Sequence, residues 1–327
     1  MKTIRVFATG PQADSWIERI IQTAADFNLV NILRVQKIRE ADYVMVFDHT
    51  VWNWLPLFLF RFLGLSNDLG QKPIFTLFRD EPKVVMPLNY GFWVWGFDLI
   101  SSPGTLNKSA TGFNLEWPVN PIGDFRRLKR KPRSGVCMVS ANKLSLVKGE
   151  LYSLRKKVAT EISDVQLFGR DWSIGKSKKL VDLLKSFVIA ITAGFPTTSA
   201  VQGWLLGADV SRGEVEDKLE LMANYQIAVV IENSATYVSE KLFDAIASGT
   251  IPVYVGPDLS GIPELNDLCV QSNPTVEAIR ASIRVAASMD LEVFQFKAGK
   301  FLDGEFYRNF SPRSVSKRFL SMLPNLN

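Results

Sequence analysis

Short apolar runs alternate with helix-period stretches through the first third of this chain. Residues 4–8 read as a buried strand and 14–27 as an amphipathic helix with Asp14 or Ser15 as its cap. Residues 30–35 make a second strand, and 43–47 (YVMVF) a third, introduced by the acidic turn 39–42. Lys72 and Pro73 precede a further apolar run at 74–78. A second series follows, with strand 136–140, helix 146–161, strands 165–168 and 227–231, helix 239–248 and strand 251–255. Strands and helices at this spacing predict parallel sheets with crossover helices. Between the two series, from about 117 to 134, the chain turns to Pro, Gly and consecutive basic residues. The pattern predicts two Rossmann-like, doubly wound α/β lobes, 1–125 and 135–305, joined by a basic linker at 126–134 and facing a cleft. The last helical segment, within 306–327, is expected to pack back on the first lobe. Ligands in such sheets bind at the carboxyl ends of the strands.

One run departs from this rhythm. Residues 51–65 (VWNWLPLFLFRFLGL) are intensely apolar, yet too short and too interrupted by Asn53, Pro56 and Arg61 to span a bilayer. A buried helix is the default reading; a partner contact and an interfacial patch near a lipid-borne substrate stay open.

Composition narrows the class. With 327 residues and 47% hydrophobic content, the chain suits two folded domains that bury their own cores. Cys137 and Cys269 lie on apolar stretches and read as buried thiols, too few for a disulfide framework. The N-terminus lacks the long apolar run of a signal peptide. Both features point to a reducing cytoplasm, with peripheral membrane contact left open through 51–65. The net charge is +5, and basic residues cluster at 126–133, 155–157 and 176–179. A solvated linker and helix faces account for them. There is no aromatic interleaving of the RNP kind, no zinc-finger spacing and no helix-turn-helix pattern, so no nucleic-acid partner is expected.

The segment 218–260 carries the chemistry. Strand 227–231 delivers Glu232, Asn233 and Ser234 into a polar loop; the chain then restarts as a helix, with Tyr237 and Ser239 near the cap and Glu240 and Lys241 in the first turn. A helix start at the mouth of a parallel sheet favours anions, through its free N–H groups and its dipole, and Lys241 adds a full charge there. Gly249 suits a left-handed helix end, and strand 251–255 stops at Gly256 and Pro257. Two strand ends and one helix start thus converge, a layout suited to a sugar nucleotide.

This pattern resembles the donor-binding motif of the α1,3-fucosyltransferase family, glycosyltransferase family 10. That signature runs Tyr-Lys-Phe, a strand, Phe-Glu-Asn-Ser, then Tyr-Val-Thr-Glu-Lys-Leu, then a small-Gly-x-x-Pro-Val strand ending in Gly. Here it stands as Tyr225-Gln226-Ile227, Ile231-Glu232-Asn233-Ser234, Tyr237-Val238-Ser239-Glu240-Lys241-Leu242, and the run from Gly249 to Gly256. Upstream, Ser140-Ala141-Asn142, then Lys148 and Tyr152, then Phe168-Gly169-Arg170 follow the family's order, so the likeness covers 135–256. In the first lobe it thins to an acidic residue after a strand. Lys148 stands where the family has an arginine on the diphosphate, keeping charge but losing bidentate geometry. Gln226 replaces a common lysine, and the loop from Asn233 to Tyr237 is short.

The resemblance implies a GT-B-like fold and a bacterial-type, cytoplasmic member of the family. It implies inverting transfer of L-fucose from GDP-β-L-fucose to a hydroxyl of a glycan or glycolipid acceptor, α1,3-type. On that reading Lys241, Lys148 and the helix start near Ser239 stabilise the departing diphosphate, and Glu81 is the base, with Asp80 as the fallback. Glu240 and Tyr237 hold fucose or ribose hydroxyls and Asn233 the nucleotide side, with Asn142 and Gly256 also lining the donor. Glu232 is either a donor contact or a buried carboxylate paired with a lysine. No cofactor is required and a divalent metal is at most stimulatory: the chain has no Asp-x-Asp pair, and His49 is its one histidine. Two alternatives stand beside this reading: a GT-B transferase using a different nucleotide sugar, and a nucleotide-sugar-binding protein without transfer activity.

Overall fold

A computed structural model of the chain describes residues 2–48, 51–79, 94, 96–101, 124–128, 133–143, 145, 149–172, 211–236, 238–265 and 267–324. The chain divides into two units, 1–118 with 309–327, and 119–308.

The first unit is built on five parallel strands, β1 (Thr3–Thr9), β2 (Asn31–Val35), β3 (Tyr43–Phe47), β4 (Ile74–Phe78) and β5 (Leu99–Ser101), in the order β2-β1-β3-β4-β5. Both faces of the sheet are covered, and the period-two alternation of a strand explains how. Tyr43, Met45 and Phe47 of β3 point into one core with Trp16, Ile17 and Ile20 of helix α1 (Ala13–Asp26) and with Val315 and Phe319 of the C-terminal helix (Pro312–Met322). Val44 and Val46 point into the other, with Leu57 of helix α2 (Val51–Phe62). Phe78 packs against Trp16 with the ring planes tilted by 49° and meets Phe319 edge-on, and the Tyr43 hydroxyl donates to the Pro324 carbonyl. Neither predicted cap is used in α1. The helix starts one residue earlier, behind Gln12, and Asp14 lies in its first turn, where it meets the helix dipole and pairs with Arg34 at 2.5 Å.

Of the helix expected at 51–65, residues 51–62 are helical, and only the inner face is covered. Leu55, Leu59, Phe62 and Leu63, spaced to share one stripe, are 51%, 44%, 65% and 63% exposed. At 12 residues α2 is too short to span a bilayer, and among the described residues no helix is long and apolar enough to cross a membrane.

The second unit repeats the plan with β6 (Val136–Val139), β7 (Val165–Phe168), β8 (Ile227–Ile231), β9 (Ile251–Val255) and β10 (Val270–Gln271), all parallel, in the order β10-β9-β8-β6-β7. Its helices include α3 (Tyr152–Glu161), α4 (Lys218–Met222), α5 (Glu240–Ala247), α6 (Val276–Ala287) and α7 (Leu291–Asp303). Of the predicted helix 146–161, the part from 152 is helical, while 146–148 lie outside the described residues. In each sheet the strand order reverses beside its first strand: between β1 and β3, and between β6 and β8. A glycine closes the strand ends of each sheet, Gly10 at the β1/β3 switch point and Gly169 between β6 and β7. A Cβ on Gly10 would lie 1.8 Å from the Phe47 carbonyl oxygen, and one on Gly169 would lie 2.0 Å from that of Ser140. Both residues also hold positive φ, so only glycine fits.

The basic clusters are only partly solvated: Arg126 and Arg127 are exposed, as a solvated linker requires, while others are engaged by the fold. Arg126 forks onto Asp124 and Asp303, and Arg133 donates to the Ser248 and Gly249 carbonyls at the end of α5. Arg155 and Lys156 are buried. Residues 129–132 and 176–179 lie outside the described residues. Burial pushes the Cys137 and Cys269 thiols up to about 12, so neither is a reactive thiolate near neutral pH.

Candidate functional site

The site grows from the carboxyl ends of β6, β8 and β9 and the start of α5. β8 is apolar and wholly buried, so its last carbonyl and the three polar residues after it are where the chain first offers chemistry. Glu232 leaves the strand with its side chain fully buried. One oxygen accepts from the Ser239 backbone N–H at 2.9 Å, the other from the Ser239 hydroxyl at 2.6 Å. The Lys241 ammonium donates to that hydroxyl at 2.8 Å and sits 3.6 Å from the carboxylate. Glu232 therefore occupies the position behind the N-cap of α5 where the sequence reading expected an open anion site. Lys241 and the helix dipole offset its buried charge. Lys241 is anchored at one side yet 23% exposed, so it can still meet a ligand anion.

Gly256 closes the same cluster from β9. A Cβ there would lie 2.3 Å from the Tyr254 hydroxyl oxygen and 2.9 Å from Cγ of Glu232. Gly256→Ala should therefore cost about 1–3 kcal/mol of stability by overpacking. Adding Tyr254→Phe removes only the nearest atom, because Cζ is 2.6 Å away, and should restore part of the thermal midpoint.

Asn233 is held from behind by a residue the sequence reading placed on a solvated face. Arg155, on α3, donates to the Ile231 carbonyl through Nε (3.1 Å) and Nη2 (2.6 Å), and through Nη2 to Oδ1 of Asn233 (2.7 Å). Its guanidinium lies 4.8 Å from the Tyr152 ring centroid. With Oδ1 taken, Asn233 has its NH₂ group to offer. The pattern Leu151, Arg155, Val158, Ile162 carries a signal that was there to be read, since Arg155 sits in the apolar stripe of its helix. Arg155→Met should destabilise the second unit by about 3 kcal/mol, the loss of charge-assisted hydrogen bonds, with a lower urea midpoint and an unchanged slope. Arg155→Lys keeps the charge but not the fork, and should recover only part.

Glu240 faces away from this cluster's carboxylate and toward α4. Lys218 lies 3.5 Å from Glu240 and 2.5 Å from Asp244, one helical turn further along α5. Burial pushes Asp244 up to about 6 against the pull of Lys218. Burial also pushes Glu240 up, but Lys241 and Lys218 together outweigh it and hold that carboxyl below its ordinary value. The stability linked to Asp244 is present while it is protonated and is lost as pH rises from its ordinary value of 3.8 through about 6. Asp244→Asn should remove that loss, so its stability relative to wild type should rise across this window in urea unfolding; a flat difference would refute the assignment.

Asn142, after β6, is tied to its neighbouring loop: its N–H donates to the Arg170 carbonyl (2.9 Å) and its Nδ2 to that of Asp171 (3.1 Å). The structure thus brings Glu232, Ser239, Lys241 and Gly256 together, with Asn233 adjacent in the chain, while Glu240 is engaged by Lys218. Glu81, Asp80, Lys148, Tyr237 and His49 lie outside the described residues. Lys218 and Asp244, which the sequence reading assigned no role, belong to the site's support.

No family model and no curated protein matches the sequence. Solved structures do share the fold. An α1,3-fucosyltransferase with GDP superposes with a TM-score of 0.50 at 15% identity, covering 99% of this chain and 91% of that one. Sucrose-phosphate synthase from Thermosynechococcus elongatus gives 0.55 at 10% identity, covering 98% of both chains. The Anabaena protein HepE in complex with UDP gives 0.52 at 11%, covering 99% of this chain and 100% of that one. With its two parallel-sheet α/β units, the chain has a GT-B-like fold.

Proposed function

We propose that this chain is a glycosyltransferase that moves a sugar from a nucleotide-sugar donor, most specifically L-fucose from GDP-β-L-fucose, to a hydroxyl of a glycan or glycolipid acceptor with inversion. The observation that carries this reading is the cluster at the start of α5. The ordered motif from Ile231 to Gly256 folds so that the Lys241 ammonium and the helix N-terminus lie at the carboxyl ends of β8 and β9, beside the switch point of the sheet.

In this reading Lys241 and the α5 start neutralise charge building on the departing diphosphate, with Lys148 assisting. Glu232 does not touch the donor: it fixes Ser239 and Lys241. Asn233 offers its NH₂ to the nucleotide, while Glu240 and Tyr237 accept from donor hydroxyls. Asn142 and Gly256 shape the neighbouring loops. Glu81 takes the acceptor proton, with Asp80 as the alternative. The charge is supplied by lysine and helix dipole, so no cofactor is needed and a divalent metal would at most stimulate.

Calorimetric titration with GDP, GDP-fucose, GDP-mannose and UDP-glucose, with and without Mn²⁺, tests the donor. Tight binding confined to GDP and GDP-fucose, indifferent to metal, is the expected result. A preference for UDP-glucose would favour the second reading, a transferase with another donor, to which the UDP complex of HepE lends weight. Binding of none would overturn both.

A further inference from the structure

We propose that the exposed face of the first unit between Leu55 and Leu69 docks onto an anionic lipid bilayer. None of the residues involved has a role in the proposed transfer.

Burial is inverted in the loop 63–71, which follows α2. Leu63, Leu65 and Leu69 are 63%, 46% and 66% exposed, while Asn67 is buried. Asn67 pins the loop to the unit: its Nδ2 donates to the Ala41 carbonyl at 3.1 Å, and its Oδ1 accepts from the N–H groups of Leu69 (3.0 Å) and Gln71 (2.9 Å). The leucines thereby continue the open stripe of Leu55, Leu59 and Phe62 on α2, and Phe58 stacks on Phe62 with ring centroids 5.6 Å apart. Six large apolar side chains left open on one short stretch exceed the scattered singles of an ordinary surface and mark a binding face.

The backbone of this loop is satisfied from within. Gly64, at positive φ, closes α2: its N–H donates to the Arg61 carbonyl at 3.1 Å, and the Leu65 N–H reaches back to that of Phe60 at 3.2 Å. The N–H groups of Asn67, Asp68 and Gly70 are taken by the carbonyls of Gln71, Arg39 and Asn67. Such a loop can leave water without stranding these donors. A protein partner makes no such demand, since it brings donors and acceptors of its own; a lipid surface does. The charge at the border selects the kind of lipid. Arg39 and Lys72 are exposed and form no ion pair among the described residues, and the bond from the Asp68 N–H to the Arg39 carbonyl (2.6 Å) sets Arg39 beside the loop. Arg61 and Lys37, by contrast, are engaged by Asp98 (2.6 Å) and Glu40 (3.9 Å). Two open cations thus stand against Asp68, the one carboxylate of the loop. Leucines enter the acyl boundary while the cations meet anionic headgroups, a pairing that a neutral bilayer satisfies only by half.

Flotation of the full chain with vesicles of phosphatidylcholine, with and without phosphatidylglycerol, tests this. Wild type should float with the anionic vesicles at low salt, and less as salt screens the headgroups. Leu63→Ser with Leu69→Ser should weaken binding about tenfold for each leucine removed. Arg39→Gln with Lys72→Gln should weaken it about fivefold for each cation, on the anionic vesicles only. All four positions are exposed, so both double variants should keep the urea midpoint of wild type. Val293→Ser with Phe296→Ser removes exposed apolar surface from the second unit instead and should float like wild type. A wild-type chain that does not float, that binds both vesicle types equally, or that is matched by the leucine variant would overturn the proposal. So would a wild-type dimer in sedimentation velocity that the leucine variant dissociates, without vesicle binding: the face would then meet a second copy of the chain.

Discussion

Glu81→Gln should lower sugar transfer by roughly 10²–10⁴-fold while leaving the binding of GDP and GDP-fucose unchanged. In the proposed reaction the acceptor hydroxyl is a poor nucleophile until its proton is taken, whereas the donor is held by the second unit, so the two measurements separate. Glutamine keeps the size of the side chain and removes only its basicity. A positioned base acts in the transition state, so kcat and kcat/KM for the acceptor should fall together. The acid limb of the pH profile should disappear with the base. Asp80→Asn is the matched control. If the loss falls on Asp80 instead, the roles exchange within one loop. If neither variant loses activity, the base does not come from the segment after β4. A wild-type protein that binds donor tightly but transfers nothing to any acceptor would sustain the third reading, a nucleotide-sugar-binding protein.

The architecture was readable because its signals are local and repeated. Runs such as 43–47 and 227–231 are apolar at every position, as strands buried on both faces must be, and the parallel sheets followed from the helices between them. The motif around α5 was readable for a related reason: Ser239 before Glu240 and Lys241, and Gly249 after the helix, are capping signals that chemistry imposes on neighbours in sequence. What escaped the reading is long-range. Arg155 finds its partners on β8, Arg133 finds its own at the far end of α5, and Lys218 meets Asp244 only after α4 docks. A charged residue on a helix looks solvated until the surface it packs against is known. The same limit explains α2, whose composition gave the helix but not which of its faces the sheet would cover. Glu232 shows the reverse: its position was legible, but whether it faced a ligand or a lysine depended on Ser239 folding back across it.

Lys241→Met is the second large effect expected. Removing a cation that stabilises the leaving diphosphate should reduce transfer by roughly 10²–10³-fold and weaken GDP binding alongside. The substitution has a second consequence, because Lys241 also faces the buried Glu232 carboxylate at 3.6 Å. Stripping a buried charge of its partner costs about 3 kcal/mol or more when the pair is fully desolvated, and less here, since the lysine keeps solvent contact. Activity could therefore fall through local disorder at Ser239 rather than through the lost charge. Lys241→Met with Glu232→Gln distinguishes the two. Neutral glutamine no longer needs the ammonium and can still accept from Ser239, so unfolding stability should return toward wild type while transfer stays low. That outcome assigns the chemistry to the lysine and the scaffold to the glutamate. Recovery of transfer together with stability would mean that Lys241 serves only to neutralise Glu232, and the cation for the diphosphate would have to be sought elsewhere, with Lys148 the first residue to replace.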